Sequence, residues 1–204
     1  PRDWSSDVCS SDLGTLMLPS FTGGANWEGG AFDPETGMLY IGSYTQPSIG
    51  VLHPEPQFSD MQYIAGGGAQ LPWLSGLPVV KPPYGRITAL DMNKGELKWQ
   101  IANGPTPKEI AENPALKGVT IPATGRTTRA VTLVTKTLLF TAEGWGGTPL
   151  LTARDKATGD VIAEIPLPGP TGGLPMTYMV DGKQYIVVSV GSPNGAQLVA
   201  LAFP

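Results

Sequence analysis

Three aspartates are the residues whose type and spacing first suggest chemistry, because carboxylates that meet in a fold can act as general acid and base. Asp33, Asp91 and Asp155 each stand in the pattern Ala-x-Asp-x-x-x-Gly, which recurs at intervals of about sixty residues. An Asp with a Gly four positions later is typical of a turn in which the carboxylate accepts backbone N–H groups. We therefore expect these aspartates to stabilise turns and not to catalyse.

The stretch "GGANWEGG", residues 23–30, combines an Asn-Trp pair with glycines on both sides. Glycines let the backbone approach a flat ligand, Asn26 can donate and accept hydrogen bonds at once, and Trp27 offers an aromatic face or an N–H donor. The same residues also suit a turn Asn followed by a packed Trp. The residues alone leave a ligand site and a structural turn as equal alternatives.

Few other side chains suggest a reactive site. The chain has one His and one Cys, which excludes His-pair and Cys-based zinc sites and any internal disulfide. His53 lies in the proline-flanked stretch "VLHPEPQ", where we expect a solvated loop histidine. The glycine-rich residues 65–69, "AGGGA", are not followed by Lys and then Ser or Thr, so they do not indicate a phosphate-binding loop.

Composition and charge exclude two further classes. The chain of 204 residues carries 13 Lys and Arg against 17 Asp and Glu, a formal net charge of −4, and it has no basic stripe of the kind that binds nucleic acid. It also has no apolar run of about 18 residues that would span a membrane. Apolar runs alternate with frequent Gly and Pro, which predicts many short strands joined by turns.

Residues 130–167 give the clearest strand pattern. Four apolar runs follow one another here and predict a four-stranded antiparallel sheet, one blade of a β-propeller: Val131–Thr135, Leu138–Ala142, Leu150–Arg154 and Val161–Leu167. The tail, residues 175–203, predicts three more strands with turns at Asp181-Gly182 and Asn194-Gly195 and lacks a fourth. Internal repeats with this content predict an all-β fold, either a β-propeller or another radial array of sheets, and the missing fourth strand indicates a partial β-propeller.

The first repeat is harder to interpret. Strands are predicted near Ala31 and Tyr40, and the next clear strand begins at Arg86. We expect the intervening excursion, residues 44–85, to be mostly irregular. Residues 103–129 are a second irregular connection, in which "TPKEIAENPALKG" predicts one short helix interrupted at Pro114.

Trp99 completes the second repeat as Ala-x-Asp-x-x-x-Gly-x-x-x-Trp, and we expect its ring to stack on the neighbouring blade. With this pattern, three stretches resemble the C-terminal part of the pyrroloquinoline quinone (PQQ)-dependent dehydrogenases: "GGANWEGGAFDPETGMLYIGS", "LPVVKPPYGRITALDMNKGELKWQ" and "PMTYMVDGKQYIVVSVG". The second is most similar to the glucose dehydrogenase branch, and Ala89–Trp99 resembles the tryptophan-docking motif of that family.

The resemblance covers residues 16–204 and implies about three blades of an eight-bladed propeller that holds PQQ and calcium. It implies that Asn26 contacts the cofactor with Trp27 beside it, and that Trp145 in "EGWGG" is a further candidate to face it. The family's catalytic aspartate and calcium ligands are expected upstream of this chain. No Cys-x-x-Cys-His haem signature is present.

The function that the resemblance implies is a periplasmic dehydrogenase that oxidises a glucose-like sugar or an alcohol. Electrons would pass to ubiquinone or a cytochrome, and membrane association would come only through regions outside this chain. The alternative is a non-catalytic propeller scaffold in membrane-protein assembly. The opening "DWSSDVCSSDL", residues 3–13, resembles a translated sequencing adapter. We thus expect residues 1–13 to be a non-native tail, residues 14–204 to be the propeller part, and this chain by itself to be inactive.

Overall fold

The computed structural model describes residues 14–66, 71, 73–192 and 195–202. The predicted non-native tail, residues 1–13, and position 194 of the predicted Asn194-Gly195 turn lie outside these described residues. The chain divides into two compact units: the described residues up to Gly24 together with Thr45–Lys81, and Ala25–Tyr44 together with the chain from Pro82 onward.

The described residues form four antiparallel sheets. The strands are β1 Thr15–Met17, β2 Gly30–Asp33, β3 Met38–Tyr44, β4 Ser48–His53, β5 Ile64–Gly66, β6 Gly85–Asp91, β7 Glu96–Ala102, β8 Val131–Val134, β9 Leu138–Ala142, β10 Leu150–Asp155, β11 Val161–Pro166, β12 Met176–Val180, β13 Lys183–Ser192 and β14 Gly195–Ala202. One short helix, α1 Lys108–Ala111, and a 3-10 turn, Pro114–Leu116, complete them. The prediction of a short helix interrupted at Pro114 is confirmed.

The first unit contains one sheet with the strand order β1-β4-β5. Strand β4 pairs with β1 from Thr15↔Gly50 to Met17↔Ser48, and its other edge pairs with β5. The described part of residues 44–85 is mostly irregular, as predicted, but the two short strands β4 and β5 within it were not predicted. Both strands are short, which leaves little alternation of apolar and polar residues to indicate them. Strand β4 also pairs with β1, which lies far from it in the sequence.

The second unit contains three sheets, each a blade of a partial β-propeller. Their strand orders are β2-β3-β6-β7, β11-β10-β9-β8 and β12-β13-β14. The predicted four-stranded sheet over residues 130–167 and the three-stranded sheet in the tail are confirmed. In the first sheet, β3 pairs with β6 from Met38↔Asp91 to Tyr44↔Gly85, so these neighbours remain in register although the first unit's residues separate them in sequence.

The three repeated aspartates lie in turns, as the sequence predicts. The carboxylates of Asp91 and Asp155 each accept the backbone N–H groups two and three positions later, over 2.7 to 3.2 Å. Asp33 accepts the N–H two positions later at 3.1 Å and the hydroxyl of Thr36 at 2.7 Å. The Gly that ends each pattern has a φ between 71° and 83°, a conformation that Gly adopts without steric strain.

The turn that joins β10 to β11 connects the first two sheets through Lys156. Its ammonium lies 2.6 Å from the Asp33 carboxylate, and both side chains are largely buried, at 17% and 4% exposure. The backbone carbonyl of Lys156 also accepts the hydroxyl of Tyr40 at 3.0 Å and the indole N–H of Trp99 at 3.3 Å. The prediction that Trp99 contacts the neighbouring sheet is confirmed.

Apolar packing fills the spaces between the sheets on both faces of the second sheet. The cluster between the first and second sheets is small and consists of Tyr40, Ala89 and Leu139. The larger cluster between the second and third sheets contains Val131, Phe140, Ala142, Leu151, Ala153, Leu167, Val188 and Val190. Because side chains alternate along a strand, β9 contributes Leu139 to one cluster and Phe140 to the other.

Burial and nearby charges set the ionisation of the groups around Lys156. Burial, reinforced by the negative charges of Asp33 and Asp155, raises the pKa of the Tyr40 phenol to about 12, so it remains a hydrogen-bond donor. The Lys156 ammonium holds the pKa of the Asp33 carboxyl below its usual value, against the opposing effect of burial. Asp33 and Lys156 are therefore expected to pair as ions.

Acidification should weaken the fold through Asp33. Because the pKa of Asp33 is lower in the folded chain, the unfolded chain binds more protons at acidic pH. The stabilisation of the fold by ionised Asp33 is fully present above the ordinary aspartate pKa of 3.8 and is lost as the pH falls through the folded-state pKa. Urea unfolding between pH 7 and pH 3 should show a steeper loss of stability below about pH 4 for the parent chain than for Asp33→Asn. Equal slopes for the parent chain and Asp33→Asn would contradict the assignment.

Candidate functional site

The ends of the strands determine which loops can form a site. In an antiparallel sheet, successive strands run in opposite directions, so the segment before the first strand and the loop between the second and third leave from the same end. In the second sheet these are residues 124–130, before β8, and residues 143–149, between β9 and β10. In the first sheet, the corresponding segment of the second unit is residues 25–29, before β2.

Asn26 and Trp27 form a turn in the segment before β2. The Asn26 side-chain oxygen accepts the backbone N–H of Trp27 at 2.8 Å, and the Asn26 backbone carbonyl accepts the N–H of Gly29 at 2.9 Å. The side-chain amide is therefore oriented by its own turn. Trp27 is 90% exposed, whereas the hydrogen bonds of Asn26 are those of a turn. An aromatic ring this exposed presents its face for contact with another group.

An ion pair joins this turn to the second sheet. The carboxylate of Glu28 lies 3.2 Å from the guanidinium of Arg129, in the segment that precedes β8. The Glu28 side chain is largely buried, whereas that of Arg129 is nearly half exposed. The pair holds the Arg129 guanidinium against Glu28, the residue that follows Trp27.

The β9–β10 loop lies against the same segment. Gly144 has a φ of 85°, and a Cβ at this position would overlap the carbonyl oxygen of Arg129, so only Gly permits this approach. The next residue, Trp145, is 78% exposed. The backbone and side chain of Arg129 thus contact two loops, each with an exposed indole, Trp27 in one and Trp145 in the other.

Asn103 and Glu143 hold the segment before β8 in place. The backbone N–H of Arg126 donates to the carbonyl of Asn103 at 2.9 Å, and the Asn103 amide donates to the hydroxyl of Thr128 at 3.3 Å. The guanidinium of Arg126 lies 3.7 Å from the carboxylate of Glu143 at the start of the β9–β10 loop. These contacts hold the segment before β8 and the β9–β10 loop together at one end of the second sheet.

The sequence reasoning missed Glu28, Arg126, Arg129 and Glu143. Each is a charged residue in a segment between strands, which is ordinarily a solvated position, and only the three-dimensional structure shows that they pair. The position of Glu28 directly after the Asn-Trp pair was the one available signal. His53 is also placed differently from the prediction, because it ends β4 instead of lying in a loop; its ring lies 3.3 Å from the carboxylate of Glu55.

Within the described ranges, with the gaps given above, no three His, Cys, Asp or Glu side chains lie close enough together to hold a metal ion. No helix among these residues has the length and apolar character needed to cross a bilayer.

The sheets, and the loops at one end of them, define a partial β-propeller with an open aromatic and charged surface at the strand ends. Residues 8–186 match the protein family described as "Glucose/ethanol/alcohol dehydrogenase, beta-propeller domain". The chain belongs to this family of PQQ β-propeller domains. The resemblance to the PQQ-dependent dehydrogenases is thereby confirmed.

The relatives are dehydrogenases of several named substrates. The chain is 27% identical to the glycerol dehydrogenase large subunit of Gluconobacter oxydans (strain 621H), over 96% of this chain and 30% of the relative. It is 28% identical to the quinoprotein glucose dehydrogenase of Escherichia coli (strain K12), over 95% of this chain and 27% of the relative. The chain thus spans less than a third of the length of these relatives.

Solved structures agree on the fold. A quinohemoprotein alcohol dehydrogenase from Pseudomonas putida HK5 superposes with a TM-score of 0.61 at 21% identity, covering 92% of this chain and 25% of that one. The quinohemoprotein alcohol dehydrogenase from Comamonas testosteroni gives a TM-score of 0.56 at 23% identity. At these identities the likeness supports the propeller fold alone.

The close approach of the β9–β10 loop to Arg129 can be tested with two glycines of that loop. Gly144→Ala should lower the free energy of unfolding by more than about 2 kcal/mol, because the new methyl overlaps backbone in addition to straining a positive φ. Gly146→Ala is the matched control: its φ is 75° but nothing lies within 4 Å of its Cβ position, so it should cost about 1 kcal/mol. Equal losses in urea unfolding would show that the loop is not held against Arg129.

Proposed function

We propose that this chain is part of a PQQ-dependent dehydrogenase that oxidises a glucose-like sugar or an alcohol, and that it contributes one wall of the cofactor site. The observation that carries the proposal is the exposed Asn26-Trp27 turn, joined by the Glu28–Arg129 ion pair to the next sheet. The family match and the glucose, glycerol and alcohol dehydrogenases among the relatives support the class of reaction.

The residues of this surface fit the quinone in chemical type. PQQ is a flat, aromatic tricarboxylate, and such a molecule needs an aromatic face, amide hydrogen-bond partners and positive charge. Trp27 and Trp145 offer exposed rings, Asn26 offers an oriented amide, and Arg129 offers a guanidinium that is nearly half exposed. When bound, the quinone supplies a two-electron acceptor for hydride from the substrate.

The residues of this chain bind and orient in that reaction. Asn26 would hydrogen-bond the edge of the cofactor, with an amide direction fixed by the Trp27 N–H. Trp27 would cover one side of the ring and exclude water from it. Glu28 would keep the Arg129 side chain directed toward the turn and offset part of its charge. This division of roles assigns positioning, and no proton transfer, to the described residues.

The calcium ion and the catalytic base belong to the proposal for the whole enzyme and not to this chain. The described ranges hold no ligand set for calcium, so we assign none of their residues to the ion. The repeated aspartates are occupied by turn N–H groups, and Asp33 additionally by Lys156, which leaves them unsuited to act as a base. Periplasmic location, ubiquinone or a cytochrome as acceptor, and Ala89–Trp99 as a tryptophan-docking motif are parts of the same proposal.

Binding of PQQ to this chain tests the site. Titration followed by tryptophan fluorescence and equilibrium dialysis should give a measurable dissociation constant that Asn26→Ala raises by about tenfold, since a hydrogen bond to a charged group contributes about 1.5 kcal/mol. Asn26→Asp should raise it further, because the new carboxylate repels an anionic cofactor. Asn93→Ala, in the β6–β7 turn, is the control and should leave binding unchanged.

The same preparations test the division of labour. With PQQ and calcium added, the chain should show no dye-linked oxidation of glucose or ethanol, because it encloses neither the cofactor nor a base. Turnover by the chain would contradict this. An unchanged dissociation constant in Asn26→Ala would remove Asn26 from the site, whatever the activity.

A further inference from the structure

A polar cavity of about 350 Å³ lies in the second unit, apart from the exposed Asn26-Trp27 turn. It is bounded on one side by the segment that follows β7 and on the other by one face of the second sheet. Its lining includes the polar residues Asn103, Thr141, Glu143, Thr152, Arg154 and Glu164. Because side chains alternate along a strand, Thr141 and Thr152 face this cavity while their neighbours Phe140 and Leu151 face the larger core cluster.

Glu143 is a buried carboxylate in this lining. Its side chain is 8% exposed. One carboxylate oxygen accepts the backbone N–H of Thr148 at 3.1 Å. The other, Oε2, is buried without a hydrogen-bond partner, and the nearest guanidinium nitrogen, on Arg126, is 3.7 Å away. A buried carboxylate oxygen without a donor is costly, so it normally has a partner in water or a ligand.

The opposite wall keeps the space beside this oxygen clear. Gly104 has a φ of 84°, and a Cβ there would lie 2.5 Å from Glu143 Oε2. Any other residue at this position would therefore push the carboxylate aside. The glycine preserves a buried acceptor at the edge of a cavity.

Arg154 supplies the complementary charge and is held in place. Its Nε donates to the hydroxyl of Thr141 at 3.0 Å, and another guanidinium nitrogen donates to the carbonyl of Gly159 at 2.9 Å. Burial lowers the pKa of this guanidinium, and the negative charges of Glu164 and Asp160 oppose that shift. The cavity thus contains fixed groups of both signs.

The presence of both positive and negative groups limits the kind of ligand that the cavity can bind. A metal ion would meet the guanidinium of Arg154, and an anion would meet the carboxylates of Glu143 and Glu164. Hydroxyl groups suit both, because each donates one hydrogen bond and accepts others. The volume also lies within the range of small-molecule pockets, roughly 300 to 1,000 Å³.

We propose that this cavity binds a small neutral polyol, with one hydroxyl donating to the Glu143 carboxylate where that side chain lines the cavity and another accepting from Arg154. The cavity shares the β9–β10 loop with the proposed quinone surface, through Glu143 and Thr148, but this proposal does not rest on quinone binding. Threonine hydroxyls at 141 and 152 complete a lining suited to several hydroxyl groups.

The test is a titration of the ¹⁵N-labelled chain with xylitol and glycerol, followed by amide chemical shifts. The Thr148 amide, which donates to Glu143, should shift in a saturable way with xylitol. It should not shift saturably with 1,2-dimethoxyethane, which cannot donate a hydrogen bond, or with calcium chloride. Saturable binding of calcium in place of xylitol, or no saturable binding of either polyol, would overturn the proposal.

Variants locate the binding. Glu143→Gln keeps the shape of the side chain and should weaken xylitol binding by roughly fivefold, because a charged acceptor becomes neutral. Glu96→Gln removes an equal charge from strand β7 outside the lining and should leave the dissociation constant unchanged. Thr152→Ile fills the cavity and should abolish binding, which decides the matter even if Glu143→Gln does not fold. Parent affinity in Thr152→Ile would refute the location.

Discussion

The burial of Lys156 against Asp33 is the interaction on which the arrangement of the first two sheets depends. A buried ion pair is stabilising only while both partners are present, because either charge alone would remain desolvated. Here the same residue also uses its backbone carbonyl to accept Tyr40 and Trp99. One turn of the second sheet therefore satisfies a carboxylate, a phenol and an indole of the first, in an interface whose apolar cluster is small.

The candidate site follows from that arrangement. Asn26 and Trp27 precede β2, Arg129 precedes β8, and their two loops meet only if the first and second sheets hold a fixed relation. The Lys156 turn and Arg129 lie at opposite ends of the interface between the first and second sheets. The interactions at these two ends serve different purposes. The end with Lys156 stabilises the interface, and the end with Arg129 presents exposed aromatic and charged groups.

The sequence predicted the second unit well because its signals are local. Apolar runs, turn aspartates and glycines act within about ten residues of one another, so the blade over residues 130–167 and the turn at Asp155 could be derived directly. The contact of Trp99 with the neighbouring sheet was predicted because a large aromatic side chain that follows a turn between strands ordinarily packs on a neighbouring element. The sheet formed by β1, β4 and β5 was missed, since its pairing joins short segments more than thirty residues apart. The ion pairs Asp33–Lys156 and Glu28–Arg129 were also missed, because pairing between distant charges has no periodic signature.

A double-mutant cycle on Asp33 and Lys156 tests the central claim most directly. Each single change, Asp33→Asn or Lys156→Met, should lower the free energy of unfolding by about 3 kcal/mol, since it leaves the partner buried and unpaired. The double variant should cost about as much as one single change, a coupling of at least roughly 2 kcal/mol. The pair of Asp91 and Lys94, 3.8 Å apart in the β6–β7 turn with the Lys94 side chain 66% exposed, is the control and should show a coupling below about 0.5 kcal/mol. Additive losses for Asp33 and Lys156 would contradict the account.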